Sequence, residues 1–476
     1  MPKSSMTASA SPADESRDGD QPKTSRLRRF LGLFWDTLDG DPQERKYVQK
    51  LDLFLFSYIM LGYFIKYLDQ QNYSNAFVSG MQEDLHLYGN ERNLLVTYFN
   101  IGLIIGTVPS QLVQLKYVRP SIWIPTYELL WSVLVMAMGG AKNIQTLYTL
   151  RFFVGLLESC SFPGYAALLG SWYGPNQLGK RVALFEQASA IAGMFSGYLQ
   201  AGLYRGINGK GGLAGWKWLF IFDGIISIPN SVWGCFAIPD LPSNTRAFHF
   251  SKNQDRDYGI QRIQRMGRAS PKKLTWRRLK AIYTGWHLWA FIFAYVMVAE
   301  AGSGSDYFNL WLKAEKYDVV LVNTIPSAGN AISTAIVVCA IVIVANILLS
   351  IWHIGKGGLF FAFFLSYTSA AAQPIIIAWG HEITQHNAEL RQLLVATGNI
   401  FTYTFSAWLP VVLFPTYDAP HYKYAYQVLV MFGGLSILGI FLLKYLRERE
   451  LREAKPHGLT ESGLVVAGEE EERPSN

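Results

Sequence analysis

The chain has 476 residues, 42 Lys and Arg against 35 Asp and Glu, so that 16% of it is charged and its mean hydropathy is +0.14. Soluble globular chains carry about 25% charged residues, and here the charge is also uneven: residues 1–50, 240–284 and 444–473 are dense in it, while long runs elsewhere hold one charge or none. The basic residues flank apolar runs, which excludes a nucleic-acid-binding stripe despite the net charge of +7; Cys160, Cys235 and Cys339 all lie inside such runs, which excludes a disulfide-stapled secreted domain.

A lipid bilayer admits only helices and closed barrels, and the runs lack the alternation of barrel strands. The sequence therefore predicts an all-α, multi-pass membrane protein. Residues 1–50 are rich in Ser, Asp, Lys, Arg and Pro without an apolar core. No cleavable signal is expected there, and the first span serves for insertion. Spans are expected over 52–69, 93–115, 121–140, 145–173, 182–204 and 217–239, then over 286–312, 322–352, 359–380, 392–414 and 425–446. The expected organisation is a tail at 1–50, a helical half at 51–239, a basic loop at 240–284, a second half at 285–446 and a tail at 447–476.

Orientation follows the Lys and Arg bias of the loops. The first tail ends in Arg26, Arg28, Arg29, Arg45, Lys46 and Lys50, and segment 240–284 holds eleven basic residues against Asp240, Asp255 and Asp257. The last span is followed by Arg447, Arg449 and Arg452. All three segments are expected to be cytoplasmic. Residues 69–92, with Asp69, Glu83, Asp84 and Glu91 against Arg92 alone, read as an outer loop. About eleven clear spans conflict with this bias, because an odd number leaves the C-terminal tail outside. The uncharged stretch 322–352 is the discrepant region. Pro326, Gly329 and Asn330 resemble the opening of one helix, and Ala335–Trp352 the whole of the next. The sequence thus points to a shortened span 8–9 region, lacking roughly 20–30 residues through a gene-structure error or a deletion.

Ionisable groups inside spans are costly and mark candidate sites. Lys66 and Asp69 are spaced to pair on one helix face, as a coupling site or as a helix-end ion pair. Glu128, between Trp123, Tyr127 and Trp131, suits either a proton carrier or a fixed internal hydrogen bond. In RFFVGLLESCSFPGY, Arg151, Gly155 and Glu158 share one face over about two turns, with a break expected at Pro163 and Gly164. Glu186 precedes a small-residue face in which Gly193 and Gly197 read as packing positions. Asp223 lies in WKWLFIFDGIISIP, and Glu300 and Asp306 flank an end expected to unwind. In the second half Gln373, Asn399, Tyr403, Trp379 and Trp408 read as cavity residues or interface anchors. His381, Glu382 and His386 read as a solvated loop rather than a metal site. No Walker A sequence is present, so transport is expected to draw on an ion gradient or on the substrate's own gradient, with no cofactor.

RFFVGLLESCSFPGY, together with YLDQQNYSNAFVSGMQEDLHLYGNE, GWKWLFIFDG, IPDLPSNTRAF and ELRQLLVATGNIFTYTFSAWLPVVLFPTYDAP, resembles the fungal anion:cation symporter family of the major facilitator superfamily. The resemblance covers about 50–446, and the GMQEDL, YGNE and FDG stretches look like the pantothenate and vitamin branch. QLKYVRPS departs from the superfamily's Asp-Arg-x-Gly-Arg sequence. The resemblance implies a major-facilitator fold of two six-helix halves and proton-coupled import of a small carboxylate, such as pantothenate, across the fungal plasma membrane by a monomer. Asp69, Arg151 and Glu158 occupy family motif positions. Arg151 is then expected at the substrate carboxylate or in coupling, and Glu158 or Glu128 as the titrating acid. Alternatives are an efflux or intermediate carrier of a secondary-metabolite pathway and a transport-inactive truncated carrier.

Overall fold

The long apolar runs become helices, and no strand occurs among the described residues. The computed structural model describes residues 42–241, 245, 247–250, 254–265, 276–333, 339–351, 354–367, 376–377, 379–380, 383–384, 388–419, 422 and 424–454. The chain divides into two compact units, Met1–Gln49 and Lys50–Asn476. Of the first, residues 42–49 are helical; the helices named next belong to the second.

A first group comprises α1 (Ser57–Ala76), α2 (Glu91–Lys116), α3 (Pro120–Met138), α4 (Ile144–Glu158), α5 (Ser161–Trp172), α6 (Pro175–Ile207) and α7 (Gly215–Ala237). Local chemistry sets several starts. Pro120 and Pro175 open α3 and α6 in the first turn, where their missing N–H groups are not needed. The Asn143 side chain caps α4 by accepting from the Thr146 N–H at 2.9 Å. The helix of span 4 is interrupted at Ser159 and Cys160, and Pro163 falls in the first turn of α5. The break therefore lies directly after Glu158, slightly ahead of the expected Pro163–Gly164 position.

α8 (Gln254–Arg265) and α9 (Trp276–Thr284) form the connection to a second group. That group holds α10 (Trp286–Ala301), α11 (Phe308–Ala314), α12 (Val319–Ser333), α13 (Cys339–Ile351), α14 (Gly355–Ser366), α15 (Ala388–Leu413) and α16 (Ala425–Ala454). Residues Ser303–Tyr307 tighten into a 3-10 turn between α10 and α11, as the Glu300–Asp306 stretch led us to expect.

One expectation needs correction. Asp69 does not begin a loop: α1 continues through it to Ala76. The polar residues there are paired within the protein, so hydropathy alone ends the span too early. Among the described residues seven helical stretches are long and apolar enough to cross a membrane. Within the 322–352 run the described residues belong to α12 and α13, the two helices that the sequence suggests there.

Within each group α2 packs on α4, α3 on α7, α1 on α6 and α10 on α16; α6 against α12 and α2 against α15 join the groups. Close approach depends on missing side chains at two positions. A Cβ on Gly155 would strike the Phe99 carbonyl of α2, and one on Gly197 would strike the Asn323 carbonyl and the Ser327 hydroxyl of α12. Gly197 is thus a packing position. Gly155→Val is expected to destabilise the protein by about 1–3 kcal/mol, read as a lower melting temperature in detergent, whereas a wild-type melting curve contradicts the α2–α4 packing described.

One end of the first group is braced by the connection. Arg181 forks onto Asp52 through Nε (2.8 Å) and Nη2 (2.7 Å), the Tyr173 hydroxyl donates to Asp52 Oδ1 at 2.8 Å, and the Arg181 guanidinium stacks 4.4 Å from the Tyr173 ring. Lys50 pairs with Asp255 of α8 at 2.7 Å, and Arg262 of α8 donates to the Trp172 carbonyl at 2.6 Å.

Candidate functional site

The opposite end is where the two groups are tied. Arg92 Nη2 donates to Ser74 Oγ (2.9 Å) and to the Asp306 carbonyl (3.1 Å), with its guanidinium between the Tyr73 and Tyr307 rings. Asn93 Nδ2 donates to the Phe414 carbonyl at 2.7 Å and Thr97 Oγ1 to the Ala407 carbonyl at 2.5 Å, joining α2 to α15 and the residues after it. Asn309 Nδ2 reaches Ser74 Oγ at 2.8 Å, Asn323 Nδ2 reaches Ser79 Oγ at 2.9 Å, and Lys313 Nζ meets Glu83 at 2.9 Å. These bonds seal that end.

Deeper in the bundle, α1 turns one face toward α4 and α15. Lys66 and Asp69 are 3% and 2% exposed, and Gln70, Tyr67 and Tyr73 beside them are half-buried. The expected Lys66–Asp69 pair does not form. Lys66 Nζ lies 5.4–5.8 Å from the centres of the Tyr63, Tyr67 and Phe162 rings and faces Tyr403 of α15, with Glu158 and Glu186 nearby. No salt bridge to Lys66 occurs among the described residues. Asp69 lies beside Asp223 instead, the two carboxyls within hydrogen-bonding reach of each other, and no donor from another side chain reaches Asp69 among the described residues.

Arg151 and Glu158 stand on the α4 stripe that the sequence suggests, and both are buried. The Arg151 guanidinium is sandwiched 4.7 Å from the Tyr73 ring and 4.5 Å from the Phe99 ring, with Nε and Nη1 unpartnered. Glu158 Oε1 accepts from Gln70 Nε2 at 2.6 Å, and Oε2 has no partner. Lys66 and Arg151 both stand within electrostatic range of Glu158. Two buried cations and three acids (Asp69, Glu158, Asp223) thus share one polar core, in which each charge is worth far more than at a surface.

Asp223 ends a relay across three helices. Asn75 Nδ2 donates to Ser196 Oγ (2.7 Å), Ser196 to Asn72 Oδ1 (2.6 Å) and Asn72 Nδ2 to Asp223 Oδ2 (2.5 Å). Glu128 sits in a different pocket, where both oxygens are occupied: Tyr58 donates to Oε2 and Asn230 to Oε1, each at 2.6 Å. That is the fixed internal hydrogen bonding that the sequence left as one of two readings. Glu186 accepts from Tyr63 at 2.9 Å, and Glu300 from Ser406 at 3.2 Å.

On α15, Asn399 Oδ1 accepts from the Tyr295 hydroxyl at 2.7 Å while its buried Nδ2 is unpartnered. Tyr403 lies one turn on, facing Lys66. Trp408 is 48% exposed and packs at a tilt against Phe405, which fits an interface anchor better than a cavity residue. Gln373, His381, Glu382 and His386 lie outside the described residues. Among those described, no cluster of His, Cys, Asp or Glu could hold a metal ion. Lys66, Gln70, Asn72, Glu186 and Tyr403 gain weight only from the fold. The helical spacing of Tyr63, Lys66, Gln70 and Tyr73 was the available signal, hidden by the assumption that the span ends at Asp69.

The profile of the Major Facilitator Superfamily matches residues 59–390. The chain belongs to this superfamily. It is 30% identical to the pantothenate transporter liz1 of Schizosaccharomyces pombe over 450 residues, covering 90% of this chain and 87% of that one. It is 34% identical to the MFS transporter PfmaC of Pestalotiopsis fici over 416 residues (82% and 77%), and 30% identical to the pantothenate transporter FEN2 of Saccharomyces cerevisiae over 411 (80% and 80%). Among solved structures, the proton:xylose symporter XylE superposes with a TM-score of 0.60 at 13% identity, covering 84% of this chain and 96% of that one. The superfamily member is therefore a multi-pass membrane transporter rather than an enzyme, and its relatives are the fungal vitamin transporters that the motifs suggest.

Proposed function

We propose that this transporter is a plasma-membrane symporter that imports a small organic carboxylate, pantothenate or a close analogue, together with protons. The observation that carries the reading is the buried pair of cations, Lys66 and Arg151, with Glu158 between them at the junction of the two helix groups. An organic anion supplies the salt-bridge partner that Lys66 lacks among the described residues, and a proton on Glu158 removes a competing carboxylate. The substrate-loaded core then carries little net charge when the groups rock about it. The names of liz1 and FEN2 support pantothenate as the first substrate to try.

In the same proposal residues 51–239 and 285–446 are the two moving halves, and the tails and 240–284 are cytoplasmic. The end sealed by Arg92 and Asn93 then faces outward, so the arrangement is open toward the cytoplasm. The hydrogen-bonded series Asn75–Ser196–Asn72–Asp223 orients Asp223 beside Asp69. Uptake of labelled pantothenate by a yeast strain lacking its own carrier tests the reading. Uptake that rises as the external pH falls is expected; a well-expressed chain that moves no pantothenate and no other carboxylate contradicts it.

A second reading, a carrier shortened below competence, is favoured by the length of one alignment. The liz1 alignment runs over 450 residues, whereas 90% of 476 is about 428, so about 22 aligned positions have no counterpart in this chain. Restoring a segment of that size between Ser333 and Cys339 and gaining uptake favours this reading; equal uptake without it removes it.

A further inference from the structure

We propose that the substrate carboxylate is held by Lys66, with Tyr403 and the free Asn399 amide closing the subsite from the second helix group, while Arg151 is a fixed cation of the carrier that the substrate does not displace. The inference rests on the carboxylate-import reading and assigns the contact that recognises the anion.

Three observations support this assignment. The Arg151 guanidinium is clamped between the Tyr73 and Phe99 rings, both in the first group, and is 1% exposed. Moving it to meet a ligand breaks both stacks, each worth about 2 kcal/mol when desolvated. Lys66 instead lies at the seam between the groups, among Tyr67, Gln70 and Tyr403, all half-buried. A substrate that both moving groups must grip has to sit at such a seam.

The second observation, which Arg151 shares, is that Lys66 has no carboxylate partner among the described residues. A buried ammonium is normally paired. Here Glu158 takes the Gln70 amide and Glu186 takes the Tyr63 hydroxyl, and neither forms a salt bridge with Lys66. The vacant partner is an anion on the ligand. The third is on α15, where Asn399 Nδ2 is a buried donor without an acceptor one turn from Tyr403. An ammonium facing a phenol, with an unpartnered amide N–H one helical turn along α15, is a donor set that suits a carboxylate better than an alcohol or amide.

The purified full-length protein, titrated with pantothenate and biotin and with their uncharged counterparts pantothenol and biotinamide, tests the assignment through thermal stabilisation. The wild type is expected to bind at least one acid and to discriminate against its neutral analogue. Lys66→Gln should weaken the acid by about 10- to 100-fold, the factor expected for a charged hydrogen bond, leave the neutral analogue unchanged, and so abolish discrimination. Lys66→Arg should restore most of it, a rescue that a purely structural lysine does not predict. Wild-type discrimination in Lys66→Gln overturns the assignment while leaving carboxylate import standing. A wild type that binds none of the acids overturns both. Should Lys66→Gln fail to fold, Tyr403→Phe decides: reduced preference for the acid supports the subsite, and unchanged preference overturns it.

Discussion

Arg151→Ala is expected to abolish carboxylate uptake while the protein still reaches the cell surface. The guanidinium holds a place between two aromatic rings, with Asp69 and Glu158 in electrostatic range. Its removal leaves buried carboxylates without their cation, a deficit of ~3 kcal/mol or more that corresponds to about a 100-fold loss or greater. Arg151→Lys keeps the charge but not the planar stack, so partial recovery is expected. The measurement is initial uptake normalised to surface-labelled protein. Uptake of Arg151→Ala within about twofold of wild type, far below the factor expected for an uncompensated charge, removes Arg151 from the site.

Glu158→Gln is expected to separate transport from the proton gradient. The groups facing Glu158 are Lys66, Asp69 and Gln70 of α1, Arg151 of its own helix, Cys160 of the break after it, Tyr165 of α5, Asp223 of α7 and Tyr403 of α15. Glutamine mimics the protonated acid in size and keeps an acceptor for the Gln70 amide. The variant should still exchange labelled for unlabelled substrate. It should lose concentrative uptake and the rise of uptake at lower external pH that is expected of the wild type. A wild-type pH profile in Glu158→Gln shifts the coupling role to Asp69 and Asp223, whose equivalent substitutions then become the ones that flatten it.

The sequence conveyed the all-helical membrane class because charge is excluded from lipid-facing runs, and it conveyed the α4 stripe because Arg151, Gly155 and Glu158 recur at helical spacing. The end of the first span was not legible by the same means. Asp69, Gln70, Asn72, Ser74 and Asn75 read as an aqueous loop, yet Gln70 and Asn72 are bonded to Glu158 and Asp223, Ser74 to Arg92 and Asn75 to Ser196. Their partners lie 18 to 151 positions away, and no local hydropathy window sees them. The same distance hides Tyr403, whose meaning comes from lying opposite Lys66. Glu128 shows a different case: an acid deep in an apolar run stands out in sequence, but its partners Tyr58 and Asn230 come from the fold.

Proton-coupled carboxylate import is tested most directly in proteoliposomes that contain the purified chain and a pH-sensitive dye, with labelled pantothenate outside and the exterior acidic. Pantothenate should accumulate above its external concentration, enter with measurable internal acidification, and do neither when the pH gradient is collapsed by an ionophore. Accumulation that is indifferent to the gradient, or proton entry without substrate movement, contradicts the account.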